Sequence, residues 1–571
     1  MQLTIDGHGI EAAAGESLLD LVRRLGLDTG ALPTRPLAAS IAGEVFTLNY
    51  IPARETDNAG LSHRVALRRA MRASGGVVSL LRYQDIQGHR VYERTMLFVF
   101  LLAMRDLYPK ARVKINYAVG AGLYASVDEA THLEEADIGR IKKQMRMIVQ
   151  ADYKLERKRL DIDDAIDFFA YDGQTDKVRL LNYRKFTYFD VYRHEDYMDY
   201  FYGEMAPSTG YVSVFDLQSE PPGLFLIRPS DDDPGVPAMH VALPRLAGVF
   251  AESEEWAKLM HCSTVADLND MVLSGSVRTL IRVNEALHEK RFASLADEIV
   301  KRGARAVLIA GPSSSGKTTS ANRLCTQLRV HGKSPVLLSL DDYYIDRDKI
   351  APDENGEIDL EHINTIDVAL FRENLSALLR GETVEVPRFD FMAQRRKPEG
   401  LPLHIDADTP LVIEGLHALN PLCMPEGVDP QLIFRLYVSA LTTLNLDDHN
   451  RIPTTQIRQL RRMVRDFETR GASIERTLSM WASVRRGEDR WIFPYQESAD
   501  AIFNTTLVYE PAVLKKHIYP LLTAVQPESP YFTEANAIVK FLNYFVEANV
   551  EDEIPPTSLL REFIGGNTFY R

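Results

Sequence analysis

Apolar residues along the chain recur with two spacings, one typical of buried strands and the other of helices. The mainly apolar runs at 306–310, 336–340 and 411–414 are short and end at or lead into small or polar residues, as strands inside a parallel sheet do. Helical spacing is clear in 16–25 and again in 268–299. Because strands and helices alternate after residue 300, the sequence predicts an α/β domain whose parallel sheet is flanked by helices.

The first of these strands is followed by a glycine-rich loop and then by a helix. Residues 311–318 match the phosphate-binding pattern G-x-x-x-x-G-K-[ST]. Glycines let backbone N–H groups approach a polyphosphate closely, and the next helix adds its positive N-terminal end. We expect Lys317 to reach the β- and γ-phosphates and Thr318 to hold Mg²⁺. A glycine turn with a solvent-exposed lysine is the alternative. The predicted nucleotide-binding residues are Gly311, Pro312, Ser313, Ser314, Ser315, Gly316, Lys317, Thr318 and Thr319.

Two carboxylates follow buried strands of the predicted sheet. Asp341 comes after the strand at 336–340, and Glu414 ends the strand at 411–414. Ligands of open parallel sheets gather at the carboxyl ends of the strands, so both side chains are expected at the active site. There a carboxylate can accept a hydroxyl proton or bind Mg²⁺. For Asp341 the alternatives are a helix cap and a solvated loop, whereas an unpaired buried carboxylate at Glu414 would be costly.

The segment 451–490, called the lid segment below, is rich in arginine. It contains ten arginines, no lysine and five acidic residues. Arg458, Arg461, Arg462 and Arg465 share one helical face beside an apolar face. Guanidinium forks fit phosphate oxygens in a geometry that lysine cannot reproduce, so the segment is expected to close over a transferred phosphoryl group. A solvated, salt-bridged helix face is the alternative.

Composition narrows the class of protein. A chain of 571 residues with 45% apolar and 26% charged residues predicts several ordinary globular domains. The net charge of −14 argues against a protein that coats nucleic acid, although it leaves room for a local basic site. The three cysteines form no paired motif, which favours a reducing cytoplasm. Neither a signal-like N-terminus nor a long apolar run is present, so we expect a cytoplasmic protein without a membrane span.

The order of motifs after residue 306 resembles that of the uridine kinase family, which is related to phosphoribulokinase. The whole chain resembles the long bacterial uridine kinase-like proteins, in which a synthetase-like front half precedes the kinase. The resemblance implies an ATP-dependent, Mg²⁺-requiring kinase that phosphorylates a hydroxyl of a nucleoside-like small molecule. The motifs are the glycine loop at 311–318, Leu-Ser-x-Asp-x-Tyr-Tyr at 338–344, Pro-x-aromatic-Asp-Phe at 387–391, Ile-Glu-Gly at 413–415 and Arg-Asp-x-x-x-Arg-Gly at 465–471.

The resemblance also implies roles for individual residues. Asp341 matches the catalytic aspartate, which sits near Mg²⁺, and Glu414 matches the acidic residue near the metal, where Thr318 also lies. The catalytic group is completed by Lys317, Arg465 and Arg470. The substrate residues that the resemblance implies are Tyr344, Glu361, His362, Phe389, Gln394 and Arg462.

The substrate pocket departs from the family pattern. Glu361 stands for the ribose-binding aspartate, Phe389 for the base-contacting tyrosine and Gln394 for the base-reading histidine. In the lid segment, Ala472 replaces an arginine and Met480 a glutamine. Because a site that pairs polar base edges discriminates strongly, these changes favour kinase chemistry over uridine as the acceptor. A polyol, a sugar phosphate and another nucleoside stay open.

The front half resembles two modules of threonyl-tRNA synthetase. Residues 1–60 resemble the small β-grasp TGS domain, and residues 61–225 resemble the editing-type α+β domain, with His-Glu-Asp-Tyr-Met-Asp at 194–199 among the matching pieces. We expect the fold without zinc and without editing, because none of the residues at the zinc-ligand positions is a usual ligand. Those residues are Arg94, Phe98, Phe201 and Met205.

Five regions are therefore predicted: the β-grasp domain 1–60, the editing-like domain 61–225, a helical connector 226–300, the kinase domain 301–510 and a helical tail 511–571. A second hypothesis is an RNA- or ribosome-associated ATPase that uses the front half as its binding module. The acidic total weighs against it, and the oligomeric state stays open. Its support is the basic run Arg140, Lys142, Lys143, Arg146, Lys154, Arg157, Lys158 and Arg159.

Overall fold

The computed structural model describes the chain except residues 29, 53–74, 129, 185, 351–358, 360, 391–392, 407 and 570–571. The chain divides into two compact units. The first contains residues 1–242, 264–266 and 445–451, and the second contains residues 243–263, 267–444 and 452–571. None of the described helices combines the length and apolar character that a bilayer crossing requires.

Twelve described strands of the first unit form three sheets. They are β1 (Gln2–Ile5), β2 (His8–Glu11), β3 (Ala38–Ile41), β4 (Glu44–Phe46), β5 (Val77–Leu81), β6 (Val113–Val119), β7 (Gly122–Val127), β8 (Glu156–Asp161), β9 (Tyr188–His194), β10 (Tyr197–Asp199), β11 (Asp216–Glu220) and β12 (Gly223–Ile227). The sheet orders are β2-β1-β5-β3-β4, β10-β9-β8 and β11-β12-β7-β6. In the first sheet β5 runs parallel to β1 and antiparallel to β3, while the other two sheets are antiparallel throughout.

The helices of this unit pack on those sheets. They are α1 (Leu18–Arg24), α2 (Ile86–Leu107), α3 (Glu135–Ala151), α4 (Ile162–Tyr171) and α5 (Thr175–Leu181). Helix α1 begins with a capping box in which Ser17 and Asp20 satisfy each other's backbone N–H groups. Helix α2 is apolar on nearly every side in its second half, and it is buried there in the core.

The four positions that hold zinc ligands in the synthetase family carry core or hydrogen-bonded side chains. Phe98 packs against Phe201, with ring centroids 6.1 Å apart, and Met205 is fully buried. Arg94 donates from Nε to the carbonyl oxygen of Glu204 at 2.8 Å. These contacts give the four side chains structural roles. The resemblance of the front half to the synthetase modules, with its domain boundaries, stays a prediction.

Half of the basic run between residues 140 and 159 is engaged in ion pairs inside the first unit. The pairs are Arg140–Asp137, Lys142–Asp216, Arg157–Asp190 and Arg159–Asp190. Arg157 also bonds Glu204. The run therefore presents less free positive charge than its sequence suggests, which weakens the RNA-binding hypothesis.

The second unit is built around a five-stranded parallel sheet of order β14-β19-β13-β20-β21, with two small two-stranded sheets beside it. Every residue of β13 and β19 is buried, as expected for central strands covered on both faces. The predicted parallel sheet is thereby confirmed. The strands are β13 (Ala306–Ala310), β14 (Val336–Ser339), β15 (Val384–Val386), β16 (Phe389–Asp390), β17 (Arg395–Arg396), β18 (Leu401–Leu403), β19 (Leu411–Glu414), β20 (Ile433–Ser439) and β21 (Ala501–Asn504).

The remaining helices begin before this sheet and continue to the end of the chain. They are α6 (Pro244–Leu259), α7 (Val265–Ser274), α8 (Val277–Arg302), α9 (Lys317–Val330), α10 (Val368–Leu379), α11 (Thr454–Arg470), α12 (Ile474–Trp491), α13 (Glu510–Thr523), α14 (Phe532–Leu542) and α15 (Arg561–Ile564). The single helical pattern at 268–299 corresponds to two helices, because Gly275 interrupts it in a left-handed conformation, with φ 79°.

The three cysteines of the chain all lie in the second unit and all are buried, free thiols. Burial raises the pKa of Cys262 and Cys423 to about 12 and that of Cys325 to about 11. Each side chain therefore behaves as a small apolar residue of the core.

Candidate active site

The glycine-rich loop leaves β13 at the carboxyl edge of the sheet and leads directly into α9. Gly311 lies so close to the carbonyl oxygen of Val438 that a Cβ atom there would overlap it. Gly316 caps the start of α9 in a left-handed conformation, with φ 85°. Both glycines are thus required by the path of the backbone. The first turn of α9 points its N–H groups towards the loop, as an anion site requires.

Lys317 is folded onto the loop that it follows. Its ammonium donates to the carbonyl oxygens of Gly311 at 3.0 Å and Pro312 at 3.2 Å. Burial lowers the pKa of Lys317, and the carboxylates of Glu414 and Asp341 oppose that shift. The lysine is therefore held inside the cluster of charges that the sequence predicts.

Glu414 and Asp341 come together because β19 lies between β13 and β14. Glu414 is in register with Ser339 on one side and with Ile309, next to the loop, on the other. Ser339 donates from Oγ to Glu414 Oε1 at 3.1 Å, and Ser339 Oγ in turn accepts the N–H of Asp341 at 3.3 Å. One serine hydroxyl thus links the two predicted metal-binding carboxylates.

Both carboxyl groups have raised pKa values. Burial, followed by the charge of Asp341, raises the pKa of Glu414 to about 7. Burial also raises the pKa of Asp341, while Lys317 and Arg470 act in the opposite sense. A buried and a half-buried carboxylate that repel each other beside one lysine make a site that a divalent cation would stabilise.

Three arginines on one face of α11 lie against the glycine-rich loop or the carboxylates beside it. Arg458 makes a two-pronged ion pair with Glu488 of α12, whose Oε1 also accepts the N–H of Ser313 at 3.0 Å. Arg461 pairs with Glu510 at 2.6 Å and is completely buried. Arg462 donates to Ser313 Oγ at 3.0 Å. Most arginines of this helix face are therefore engaged in buried ion pairs or in hydrogen bonds to the loop.

The other two predicted arginines lie at the end of the same helix and are more exposed. Arg465 and Arg470 both pair with Asp466, at 2.9 and 3.3 Å, and Arg462 shares the same carboxylate. Burial and the neighbouring Arg465 charge lower the pKa of Arg470, whose charge in turn reaches Asp341. Asp466 thus gathers the guanidinium groups beside the carboxylate cluster.

The predicted substrate residues fall into two groups. Tyr344 packs against Phe389 with ring centroids 5.7 Å apart. Burial raises the pKa of Tyr344, and the charges of Asp341 and Glu361 add to that shift. Burial raises the pKa of Glu361 to about 7, and its Oε2 atom has no hydrogen-bond partner among the described residues. Tyr344 and Glu361 therefore lie near Asp341, and Phe389 lies beside Tyr344.

The second group consists of His362 and Gln394, whose described contacts are with other residues. His362 packs its ring against Trp491 at 4.5 Å, and its Nδ1 accepts the N–H of Asn364. Gln394 is exposed and accepts a hydrogen bond from Arg347 at 2.8 Å. No described contact joins either side chain to Asp341 or Glu414.

His417 belongs to the site although sequence reasoning passed over it. It follows Glu414 by three residues at the carboxyl edge, and its buried ring nitrogens make no hydrogen bond of good geometry in the described part of the chain, although the Glu361 backbone lies near the ring. Burial lowers its pKa to about 4, so the imidazole is neutral, and its pKa also responds to Lys317 and to the backbone of Glu361. The sequence feature that could have identified His417 is its position shortly after a buried strand, at the edge of the sheet where ligands bind.

Residues 306–509 match the model of the phosphoribulokinase / uridine kinase family. Uridine kinases from Staphylococcus aureus strains JH9 and Newman are 31% identical over 195 residues, which cover 34% of this chain and 84% of theirs. The chain belongs to this family. Its family region thus includes the loop, both carboxylates and the lid segment.

Solved structures also resemble the family region. A candidate uridine kinase from Bacillus stearothermophilus is 21% identical and covers 38% of this chain and 98% of its own, with a TM-score of 0.26. D-glycerate 3-kinase from Cryptococcus neoformans is 14% identical and covers 46% of this chain and 89% of its own, with a TM-score of 0.22. Membership of the family rests on the sequence matches.

The family region suits a nucleotide and a magnesium ion by the chemistry of its donors. Buried Ser314 and Ser315 hydroxyls in the loop have no hydrogen-bond partner among the described residues. Thr318, Asp341 and Glu414 offer hard oxygen donors, and no described cluster of three or more histidine, cysteine or acidic side chains forms a complete metal cage. Mg²⁺ in phosphoryl-transfer sites characteristically takes one or two carboxylates and completes its coordination with phosphates and water.

Proposed function

We propose that the protein is an ATP-dependent, Mg²⁺-requiring kinase that phosphorylates a hydroxyl group of a small molecule. The observation that carries the proposal is the convergence of Lys317, Asp341 and Glu414 beside a phosphate-binding loop. The family relatives named as uridine kinases make a nucleoside the first acceptor class to test. Related polyols and sugar phosphates come next, because Glu361, Phe389 and Gln394 depart from the family pattern.

The residues of the site divide the work of phosphoryl transfer. The loop amides and Lys317 bind the nucleotide phosphates, while Thr318 and Glu414 hold the metal ion. Asp341 orients the acceptor hydroxyl and takes its proton. When bound, ATP would supply the phosphoryl group and Mg²⁺ would offset its negative charge. Arg465 and Arg470 stabilise the negative charge on the transferred group, so catalysis is mainly positioning and electrostatics.

The acceptor pocket suits a molecule rich in hydroxyl groups. Glu361 and His417 each present buried polar atoms without a described partner, and buried polar groups are normally hydrogen-bonded. A neutral imidazole can donate at one nitrogen and accept at the other. Tyr344 and Phe389 supply two aromatic rings, inclined at 54° to each other, against which a base or a sugar face can pack.

The test is a coupled assay for ADP release with purified protein, ATP, Mg²⁺ and a panel of nucleosides, polyols and sugar phosphates. The proposal expects at least one compound to stimulate ADP release and to give a phosphorylated product in phosphorus NMR. ATP hydrolysis that responds to RNA, without any phosphorylated small product, would instead support the RNA-associated ATPase.

A further inference from the structure

The C-terminal segment places a carboxylate on the phosphate-binding loop. Glu562 of α15 accepts a hydrogen bond at Oε2 from the hydroxyl of Thr319 at 2.6 Å and a longer one from the Thr319 backbone N–H at 3.3 Å. Thr319 is completely buried. It is the third residue of α9, and it directly follows the Lys317-Thr318 pair of the loop motif.

The backbone N–H of Thr319 is one that a nucleotide phosphate would be expected to use. The first four N–H groups of a helix have no intrahelical acceptor and carry partial positive charge, so they attract anions. In the phosphate-binding loop these groups cradle the α- and β-phosphates. A carboxylate oxygen has the same charge sign and the same hydrogen-bonding capacity as a phosphate oxygen, so Glu562 can stand in for one.

Glu562 is also within electrostatic reach of the rest of the site. Its charge opposes the lowering of the Lys317 pKa and contributes to the raised pKa of Glu414. No lysine, arginine or histidine lies within ion-pair distance of Glu562 in the described chain. Glu488, which accepts the Ser313 N–H, differs because Arg458 and Arg485 neutralise it.

The segment that carries Glu562 is fixed by its own packing. Leu559 lies against Gly316, close enough that a Cβ atom on the glycine would meet the leucine side chain at 2.9 Å. Phe563 is buried with the Arg461 guanidinium 5.1 Å from its ring centroid. Ser558 donates to Glu285 at 2.5 Å. Since Glu562 is only half-buried, its side chain can turn away while the segment stays in place.

We propose that Glu562 is an internal substitute for a nucleotide phosphate and that nucleotide must displace its carboxylate from Thr319 in order to bind. The proposal rests on the proposed function, because it assigns regulation to the same phosphate loop. It makes the C-terminal segment an autoinhibitory element, which lowers nucleotide affinity without touching the acceptor pocket. A charge-assisted hydrogen bond of this kind is strong enough to change affinity by about tenfold or more.

The experiment compares nucleotide binding to the full chain and to single variants by titration calorimetry with ADP and with ATP in the presence of Mg²⁺. Glu562→Gln removes the charge, and Glu562→Ala removes the whole carboxyl group. Asp552→Asn is the matched control, because it removes one negative charge from the same C-terminal region, where Asp552 pairs with exposed Arg278. Circular dichroism confirms that each variant is folded.

We expect both Glu562 variants to bind nucleotide about tenfold more tightly than the wild type, with Asp552→Asn unchanged. Equal or weaker binding by the Glu562 variants, when the wild type binds nucleotide, overturns the autoinhibitory role and leaves the kinase proposal standing. If no form of the folded protein binds nucleotide, the kinase proposal fails, and this inference falls with it.

Discussion

Asp341 and Asp342 are adjacent residues whose carboxyl groups have different surroundings. Asp341 lies among the charges of Lys317, Asp342 and Arg470, and its own charge raises the pKa of Glu414. Asp342 instead accepts the backbone N–H of Phe389 at 3.2 Å. Substitution of Asp341 can therefore test its catalytic role, and the same substitution at Asp342 can serve as the control.

Replacement of Asp341 by asparagine should abolish most turnover while leaving nucleotide binding nearly intact. The reason is that the amide keeps the shape of the side chain but can no longer take the acceptor proton, a loss of about 10²–10⁴-fold. Steady-state kinetics and calorimetry with ADP separate the two effects. Asp342→Asn serves as the control and should retain most activity. Normal turnover in Asp341→Asn would remove Asp341 from the mechanism.

The raised pKa of Glu414, about 7, predicts that Mg²⁺ affinity depends on pH. Below that value the carboxyl group is mostly protonated, so metal binding must release a proton. Apparent Mg²⁺ affinity should rise by about tenfold between roughly pH 6 and pH 8. Without metal, the second unit should lose stability as the pH rises from about 4.5 to 7. In that range the Glu414 carboxyl group still holds its proton in the folded chain but has lost it in the unfolded chain, so a rise in pH favours unfolding.

Metal titrations at several pH values test this dependence. Glu414→Gln should bind Mg²⁺ weakly with little pH dependence, whereas Glu361→Gln should preserve the profile. If the Mg²⁺ affinity of the wild-type protein did not change with pH, the raised pKa of Glu414 would have no role in metal binding.

At the scale of single elements, helix α11 separates structural from chemical arginines along one stripe. Arg458 and Glu488 are both essentially inaccessible to solvent, while Arg465 and Arg470 lie at the open end around Asp466. Arg458, in the first half of the helix, therefore stabilises the loop structure, whereas Arg465 and Arg470, at its C-terminal end, keep their charges near the predicted site.

Substitution of methionine for Arg458 and for Arg465 should give opposite phenotypes. Loss of Arg458 leaves Glu488 buried with Arg485 as its remaining ion-pair partner, which should lower the free energy of unfolding by about 3 kcal/mol. Loss of Arg465 should change stability by less than about 1 kcal/mol but reduce kcat by at least about 100-fold. Urea denaturation and steady-state kinetics on both variants measure the contrast. Equal losses of stability in the two variants would contradict the assignment of a structural role to Arg458 and a chemical role to Arg465.

The strand–loop–helix order and the positions of Asp341 and Glu414 could be predicted because each depends on a short local pattern. Helical spacing also located the arginine stripe. It could not separate Arg458 from Arg465, because Arg458 is buried against Glu488 of another helix, whereas Arg465 pairs with its own neighbour Asp466. Glu562 was beyond reach for the same reason. Its contact with Thr319 joins residues 243 positions apart, and no local pattern marks it.

At the scale of the whole molecule, each unit has its own buried charges. In the first unit Lys177 is 1% exposed, and it lies 3.0 Å from Asp199 and 3.7 Å from Asp447 of the segment 445–451 that belongs to this unit. His449 is 2.7 Å from Asp199. A lysine thus neutralises acidic groups that could not be buried without it.

Lys177→Met should therefore destabilise the first unit by about 3–5 kcal/mol, because Asp199 and Asp447 would lose their principal countercharge. Denaturation followed by circular dichroism should show the loss. Lys143→Met, at an exposed position of α3, is the control and should stay within about 0.5 kcal/mol of the wild type. A wild-type denaturation curve for Lys177→Met would show that the cluster is dispensable.

The burial of Cys262, Cys325 and Cys423 also makes the protein a convenient object for site-directed labelling. Thiol-reactive dyes act on exposed thiolates, and these three side chains are neither exposed nor ionised near neutral pH. A cysteine introduced at exposed Met480 of α12 would then be the preferred site of attachment. Fluorescence from that position could follow the arginine-rich helices during nucleotide binding without prior removal of the native cysteines.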